Sequence, residues 1–297
     1  MKRLAIIDKQ KCKNRIDCPF ICAGVCPVNR AGKECIVEGP KNKAQINEDL
    51  CIGCGICPKK CPFEAIKIIN LPEELDKDPI HRYSKNGFAL YNLPTPVFGK
   101  VVGIVGVNGI GKSTAIKIIA GVLEPNLGNI GEKVGYEKLI DYFKGTEAQL
   151  FFQKLADNEI NIAYKPQHVD LIPKKYKGTV QELLEQVDEK DKLNEICEKL
   201  ELTKFLDTKV SKISGGELQR VAIAATVLKK ANVYIFDELT SYLDIKQRLK
   251  ISRFIRELAD EDTSVIVIEH DLIALDYMAD LINIMYGRAE CLGLFSL

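Results

Sequence analysis

The chain has 297 residues, 42 Lys and Arg against 41 Asp and Glu, a formal net charge of +1, and 46% apolar residues. That balance is the one of an ordinary globular protein and excludes a generic polyanion binder; the length suits two domains, one of them with a sizeable core. No apolar run approaches the roughly 18 residues of a membrane span, and the start MKRLAIIDKQKCKN has too short an apolar segment for a signal peptide, so a cytoplasmic location without membrane contact is expected.

Residues 1–70 are rich in Cys, Pro and Lys, with short strand-like pieces at RLAIID and AIKII. Nine of the eleven cysteines lie between Cys12 and Cys61. In a secreted mini-domain they would suggest disulfides, but the phosphate loop further along belongs to a reducing, nucleotide-rich compartment, and the reading shifts to metal. CIGCGICPKKCP carries Cys51, Cys54, Cys57 and Cys61 before Pro62, the bacterial ferredoxin run, in which three close cysteines hold one [4Fe-4S] cluster and the fourth reaches to another. A looser run, Cys12, Cys18, Cys22 and Cys26 before Pro27, precedes it. Crossing the two runs assigns one cluster to Cys51, Cys54, Cys57 and Cys26 and the other to Cys12, Cys18, Cys22 and Cys61, leaving Cys35 over. Structural zinc is the competing reading, yet zinc ribbons usually show two separated CxxC pairs. A domain of this size cannot bury much core and needs a staple, so the clusters are at least as well suited to structure as to redox chemistry. Its 13 Lys and Arg against 7 Asp and Glu fall to a net of about +2 with two clusters loaded, which permits nucleic-acid contact without demanding it.

Residues 71–86, LPEELDKDPIHRYSKN, read as a polar linker. From 87 to 297 buried strands alternate with amphipathic helices, the pattern of an α/β domain with a mostly parallel sheet. KVVGIVG leads into GVNGIGKS, residues 106–113, and STAIKIIAGVL continues as a helix, the strand–loop–helix context of a phosphate-binding loop. Backbone N–H groups around Asn108, Gly109, Gly111 and Thr114 face the phosphates, Lys112 reaches the transferring one, and the Ser113 hydroxyl takes Mg²⁺. VYIFDE supplies Asp237 for the metal and Glu238 to polarise the attacking water. Tyr83 or Phe88 is the expected platform for the nucleotide base. Cys197, at an apolar helical position in LNEICEKLELTKFL, reads as a small core residue.

ISGGELQR, with Ser214, Gly216 and Glu217 opening a helix, resembles the signature of ABC-type ATPases. Gln167 in YKPQH resembles the Q-loop, Asp244 ends a D-loop-like SYLD, and His270 after SVIVIE resembles the switch histidine. An ABC ATPase domain behind a small ferredoxin-like α+β domain with two iron-sulfur clusters resembles the RNase L inhibitor family, the ABC subfamily E ribosome-recycling ATPases. The likeness runs through KCKNRIDCPF, CIGCGICPKKCPFEAI, HRY, GVNGIGKST, SGGELQRVAIA, SYLDIKQRLK and EHDLIALDYMADLI. It implies a helix-loop-helix insertion near 137–158 and ATP-driven splitting of ribosomes. Its implied partners are the small ribosomal subunit, release or recycling factors and ribosomal RNA. The family carries two ATPase domains and sandwiches ATP between one phosphate loop and the other domain's signature. This chain therefore needs a second ATPase domain, in trans or as a missing C-terminal half, to hydrolyse ATP well. Leu239 stands where the family pattern has proline after the glutamate, and the tail RAECLGLFSL departs from the pattern. An ATP-dependent electron-transfer or iron-sulfur assembly protein is the alternative function.

Overall fold

The computed structural model describes residues 3–70, 78–84, 87–288 and 292–295. The tail's Cys291 lies outside them. In the cysteine-rich domain, β1 (Arg3–Ile7) pairs antiparallel with β4 (Ile66–Asn70), and β2 (Ile36–Gly39) with β3 (Lys43–Ile46). Short helices Ile21–Val25 and Ile56–Lys60 each begin beside a cysteine run. The second starts at Gly55, whose φ of +78° is a left-handed turn that glycine takes without strain. Among the described residues this core holds Ala5, Ile7, Phe20, Ile36, Ala44, Ile46 and Ile66 around buried Cys22, Cys26, Cys35 and Cys57. Thiols thus take places that large apolar side chains would fill in a self-sufficient core.

The second domain is built on a sheet of order β5-β6-β12-β11-β7-β10-β9-β8 among the described residues. Its strands are β5 (His81–Arg82), β6 (Ala89–Leu90), β7 (Val101–Val105), β8 (Ile162–Lys165), β9 (Val233–Asp237), β10 (Ser264–Ile268), β11 (Leu281–Arg288) and β12 (Leu292–Phe295). From β11 to β8 every pairing is parallel, with Ile268 opposite both Ile104 and Asp237. This register lines up the carboxyl ends of β7, β10 and β9, the edge where ligands bind in open α/β sheets. The central strands are buried on both faces. Val101, Val265, Val267, Tyr234 and Phe236 belong to one core; Val102, Ile104, Val233, Ile235 and Ile266 belong to the other. Cys197 is fully buried in the first of these cores.

Part of the segment expected to be a linker is a short strand. His81–Arg82 pair with β6, and Asn126 covers their outer side by accepting from the Arg82 N–H (2.9 Å) and donating to its carbonyl (2.8 Å). Residues 71–77 and 85–86 lie outside the described residues. Two residues of strand are too few for a period of two to register in sequence. The segment expected to be a helix-loop-helix insertion forms helices Tyr136–Tyr142 and Glu147–Ala156, clamped by stacking of Phe143 on Phe152 at 5.3 Å. The two domains are tied by Arg82, whose Nη1 donates to both carboxylate oxygens of Glu48 at 3.1 Å.

Candidate functional site

One cleft of about 490 Å³ opens at the carboxyl edge of the sheet, lined by Tyr83, Phe88, Asn108, Gly109, Gly111, Lys112, Ser113, Thr114, Gln167, Asp237, Glu238, Ile268 and His270. That lies within the roughly 300–1,000 Å³ of small-molecule sites. The phosphate loop ends at Gly111, with φ +106°, where a Cβ would meet the Phe88 ring at 2.2 Å. No other residue could make that turn so close to an aromatic ring. Helix Lys112–Ile119 follows and directs its first N–H groups into the cleft. Lys112 Nζ donates to the carbonyls of Gly106 (2.7 Å) and Val107 (3.2 Å), and burial lowers its pKa against the pull of Asp237 and Glu238. Tyr83 Oη lies 3.1 Å from Thr114 Oγ1, its ring 6.2 Å from that of Phe88 and edge-on to His81.

The carboxylates come from the tip of β9. Burial, with Glu238 beside it, raises the Asp237 pKa, while Lys165 and the Ser113 hydroxyl oppose the shift. Two acidic groups and a hydroxyl at one point make a donor set that fits a hard divalent cation. Glu238 accepts from Gln167 Nε2 at 2.6 Å and from Ser241 Oγ at 3.2 Å, and His270 Nε2 lies 3.6 Å from the same carboxylate. Residues separated by up to about a hundred positions thus meet around one oxygen pair, as the motif order requires. Ser214, Gly216 and Glu217 are elsewhere. Ser214 and Glu217 form a reciprocal cap on helix Gly215–Val227, the serine Oγ accepting from the Glu217 N–H (3.3 Å) and the glutamate accepting from the Ser214 N–H (2.7 Å). The Glu217 side chain is therefore engaged in capping its own helix. Gly216 packs against the Tyr242 carbonyl of the neighbouring loop, which leads to Asp244, itself the cap of helix Ile245–Arg256. In that helix Arg248, Lys250 and Arg256 already pair with Asp271, Glu201 and Asp280. The pairing marks a solvated, salt-bridged helix face.

The thiols gather in two apolar pockets. One is lined by Cys12, Cys18, Cys22 and Cys61; the other by Cys26, Cys51, Cys54 and Cys57, together with Cys35. Cys35, only 1% exposed, is the feature that spacing leaves out, because it lies outside both runs. The ten described cysteines carry no disulfide. Burial and neighbouring thiols push Cys22 up to about 11 and Cys57 and Cys35 up to about 12. Crowded, buried thiols of this kind become good ligands only when bound metal supplies the compensating positive charge, so the donor set fits an iron-sulfur cluster. The Ala5 N–H already points at Cys51 Sγ (3.4 Å). Lys165, Gln219 and Glu269, buried behind Glu238, went unread in sequence because nothing in their spacing marks them.

Fold and cleft together define an ABC-type P-loop ATPase domain behind a ferredoxin-like domain. A family model described as "ABC transporter" matches residues 97–241, and one described as "4Fe-4S binding domain" matches 44–67. The chain is 49% identical over 298 residues to "ABC transporter E family member 1" of Arabidopsis thaliana, covering 100% of this chain and 49% of that protein. It is 48% identical over 301 residues to "Translation initiation factor RLI1" of Saccharomyces cerevisiae, covering 99% and 49%. Among solved structures, "Model of ribosome-bound archaeal Pelota and ABCE1" superposes with a TM-score of 0.91 at 52% identity, over 100% of this chain and 50% of the other. "RNase-L Inhibitor" gives a TM-score of 0.70 at 52% identity, over 74% and 42%. A complex of the archaeal ribosomal stalk protein with archaeal ribosome recycling factor gives 0.71 at 52% identity, over 76% and 43%. The chain belongs to the RNase L inhibitor family, ABC subfamily E, and spans about half the length of the curated relatives it matches.

Proposed function

We propose that this chain binds ATP with Mg²⁺ and hydrolyses it to ADP and phosphate, as part of the cytoplasmic machinery that splits ribosomes into subunits. The observation that carries the reading is the Glu238 carboxylate, held by Gln167 at 2.6 Å and flanked by His270 at 3.6 Å on the rim of a phosphate-loop cleft. The N–H groups of residues 109–114 cradle the phosphates, and Lys112 exchanges its two loop carbonyls for phosphate oxygens. Ser113 and Asp237 hold the magnesium ion, which neutralises charge on the phosphates. Glu238 accepts the proton of the attacking water, Gln167 and His270 fix that carboxylate and the water, and Tyr83 and Phe88 take the base. Ser214 and Gly216, outside the cleft, serve a nucleotide held by a second ATPase domain, in trans or in the remainder of a longer chain; Glu217 supports them by capping their helix.

Two [4Fe-4S] clusters sit in the thiol pockets, one on Cys12, Cys18, Cys22 and Cys61, the other on Cys51, Cys54, Cys57 and Cys26. They act as staples for residues 1–70, a domain with an excess of six positive side chains before loading, and residues 87–297 with the edge strand at 81–82 form the ATPase domain. The similarity to proteins named as ribosome-bound and as a ribosome recycling factor supports the small ribosomal subunit, release or recycling factors and ribosomal RNA as partners. Among the described residues no helix is long and apolar enough to cross a membrane. Cosedimentation of the anaerobically purified chain with small ribosomal subunits tests the reading: retention is expected, and no binding at any salt concentration would contradict it.

A further inference from the structure

Two polar side chains lie fully buried behind the cleft and converge on the backbone of Glu238. Lys165, the last residue of β8 and 0% exposed, donates from Nζ to the carbonyls of Asp237 (2.9 Å) and Glu238 (3.1 Å). Gln219, 1% exposed, donates from Nε2 to the carbonyls of Glu238 (2.6 Å) and Leu239 (2.9 Å). The Glu238 carbonyl therefore takes donors from two separate elements. The amide of Gln219 cannot be turned over, since its oxygen would then face two carbonyl oxygens. Its Oε1 is left buried with no hydrogen-bond partner. A buried lysine and an orphaned amide oxygen are both unfavourable in a core, and what offsets them here is the donors they supply to the carbonyls of Asp237, Glu238 and Leu239.

What they secure is an unfavourable backbone. Glu238 has φ +52°, the left-handed region that side chains other than glycine seldom adopt, and it is followed by Leu239 rather than by a residue with a fixed φ. Downstream, buried Glu269 holds the next turn, accepting from Thr240 N–H (2.7 Å), Thr240 Oγ1 (3.0 Å) and the His270 N–H (3.2 Å). The loop is pinned on both sides of the carboxylate by side chains instead of by its own covalent stiffness. Resting on the hydrolytic reading of the cleft, we infer that Lys165, together with Gln219, is a positioning residue for Glu238. It fixes the carbonyls of residues 237 and 238, so that the carboxylate stays against Gln167 and in line with the phosphate loop.

The test uses the full chain supplied with a second ABC ATPase domain, with Mg-ATP binding and single-turnover hydrolysis measured separately. Lys165→Met should leave ATP affinity within about threefold and lower the hydrolysis rate roughly 10²-fold, the scale of a misplacement of about 1 Å. Gln219→Leu should lower the rate about tenfold in the same selective way, and it keeps the inference testable where Lys165→Met does not fold. In a Glu238→Gln background Lys165→Met should add nothing, because both act through one carboxylate. A rate within twofold of the unaltered protein would overturn the inference, as would a loss confined to ATP affinity or a further tenfold fall in the Glu238→Gln background. Absence of hydrolysis by the unaltered protein would overturn the reading of the cleft and the inference with it, and it is told apart because it appears before any substitution.

Discussion

Removing the Arg82 guanidinium should undock the cysteine-rich domain from the ATPase domain. Arg82 reaches both oxygens of Glu48 at 3.1 Å, with the two side chains 16% and 26% exposed. Such a pair stands between a surface ion pair, about 0.2–1 kcal/mol, and a fully buried one, whose disruption costs about 3–5 kcal/mol. We take about 1.5–2.5 kcal/mol, which is roughly a 10- to 70-fold change in the docking equilibrium. The next residue, Tyr83, lies on the nucleotide cleft, so the edge strand joins the two sites within one residue step. Energy transfer between labels on the two domains should show a broader, longer distance distribution in Arg82→Ala, and Glu48→Gln should reproduce much of the effect. The double variant should fall short of the sum of the singles. A distribution unchanged in Arg82→Ala would refute the assignment of this pair as the tie.

Lys112→Ala should abolish tight Mg-ATP binding measured by calorimetry, whereas Glu238→Gln should retain binding and lose turnover in the two-domain assembly; equal loss of affinity in both would contradict their separate roles. Iron and sulfide analysis should give about eight of each per chain, the stoichiometry of two four-iron clusters. Cys35→Ser should keep all of it and Cys26→Ser should lose one cluster, and the opposite pattern would give the fourth corner to Cys35. Ser214→Ala should cost about 1 kcal/mol in urea unfolding through its lost cap while leaving the chain's own ATP affinity unchanged, since the serine is outside the cleft.

The motifs of the cleft were legible because each is contiguous and each sits at the end of an apolar strand, where a switch from buried run to polar tip marks the carboxyl edge. Crossing the two cysteine runs sorts the thiols into the same two groups that line the pockets, Cys35 apart, since a duplicated run ending in Cys-Pro carries its topology with it. Cys35 escaped because a lone cysteine between runs has no spacing to read. Lys165 and Gln219 escaped for a different reason: in sequence a lysine or glutamine reads as solvent-facing, and only the fold reveals that their partners are carbonyls 19 or more residues away. The edge strand at His81–Arg82 was hidden in a polar stretch because its partner strand and the Asn126 amide, not its own composition, define it.

The central proposal is that nucleotide-driven closure at this cleft, reset by hydrolysis at Glu238, splits ribosomes into subunits. Its most direct test is subunit dissociation followed by sucrose-gradient sedimentation, using the cluster-loaded chain joined to a second ABC ATPase domain, recycling factors and ATP. The account predicts ATP-dependent accumulation of free subunits that is lost in Lys112→Ala and on deletion of residues 1–70, and that does not turn over in Glu238→Gln. Equal splitting without ATP, or with residues 1–70 removed, would contradict it.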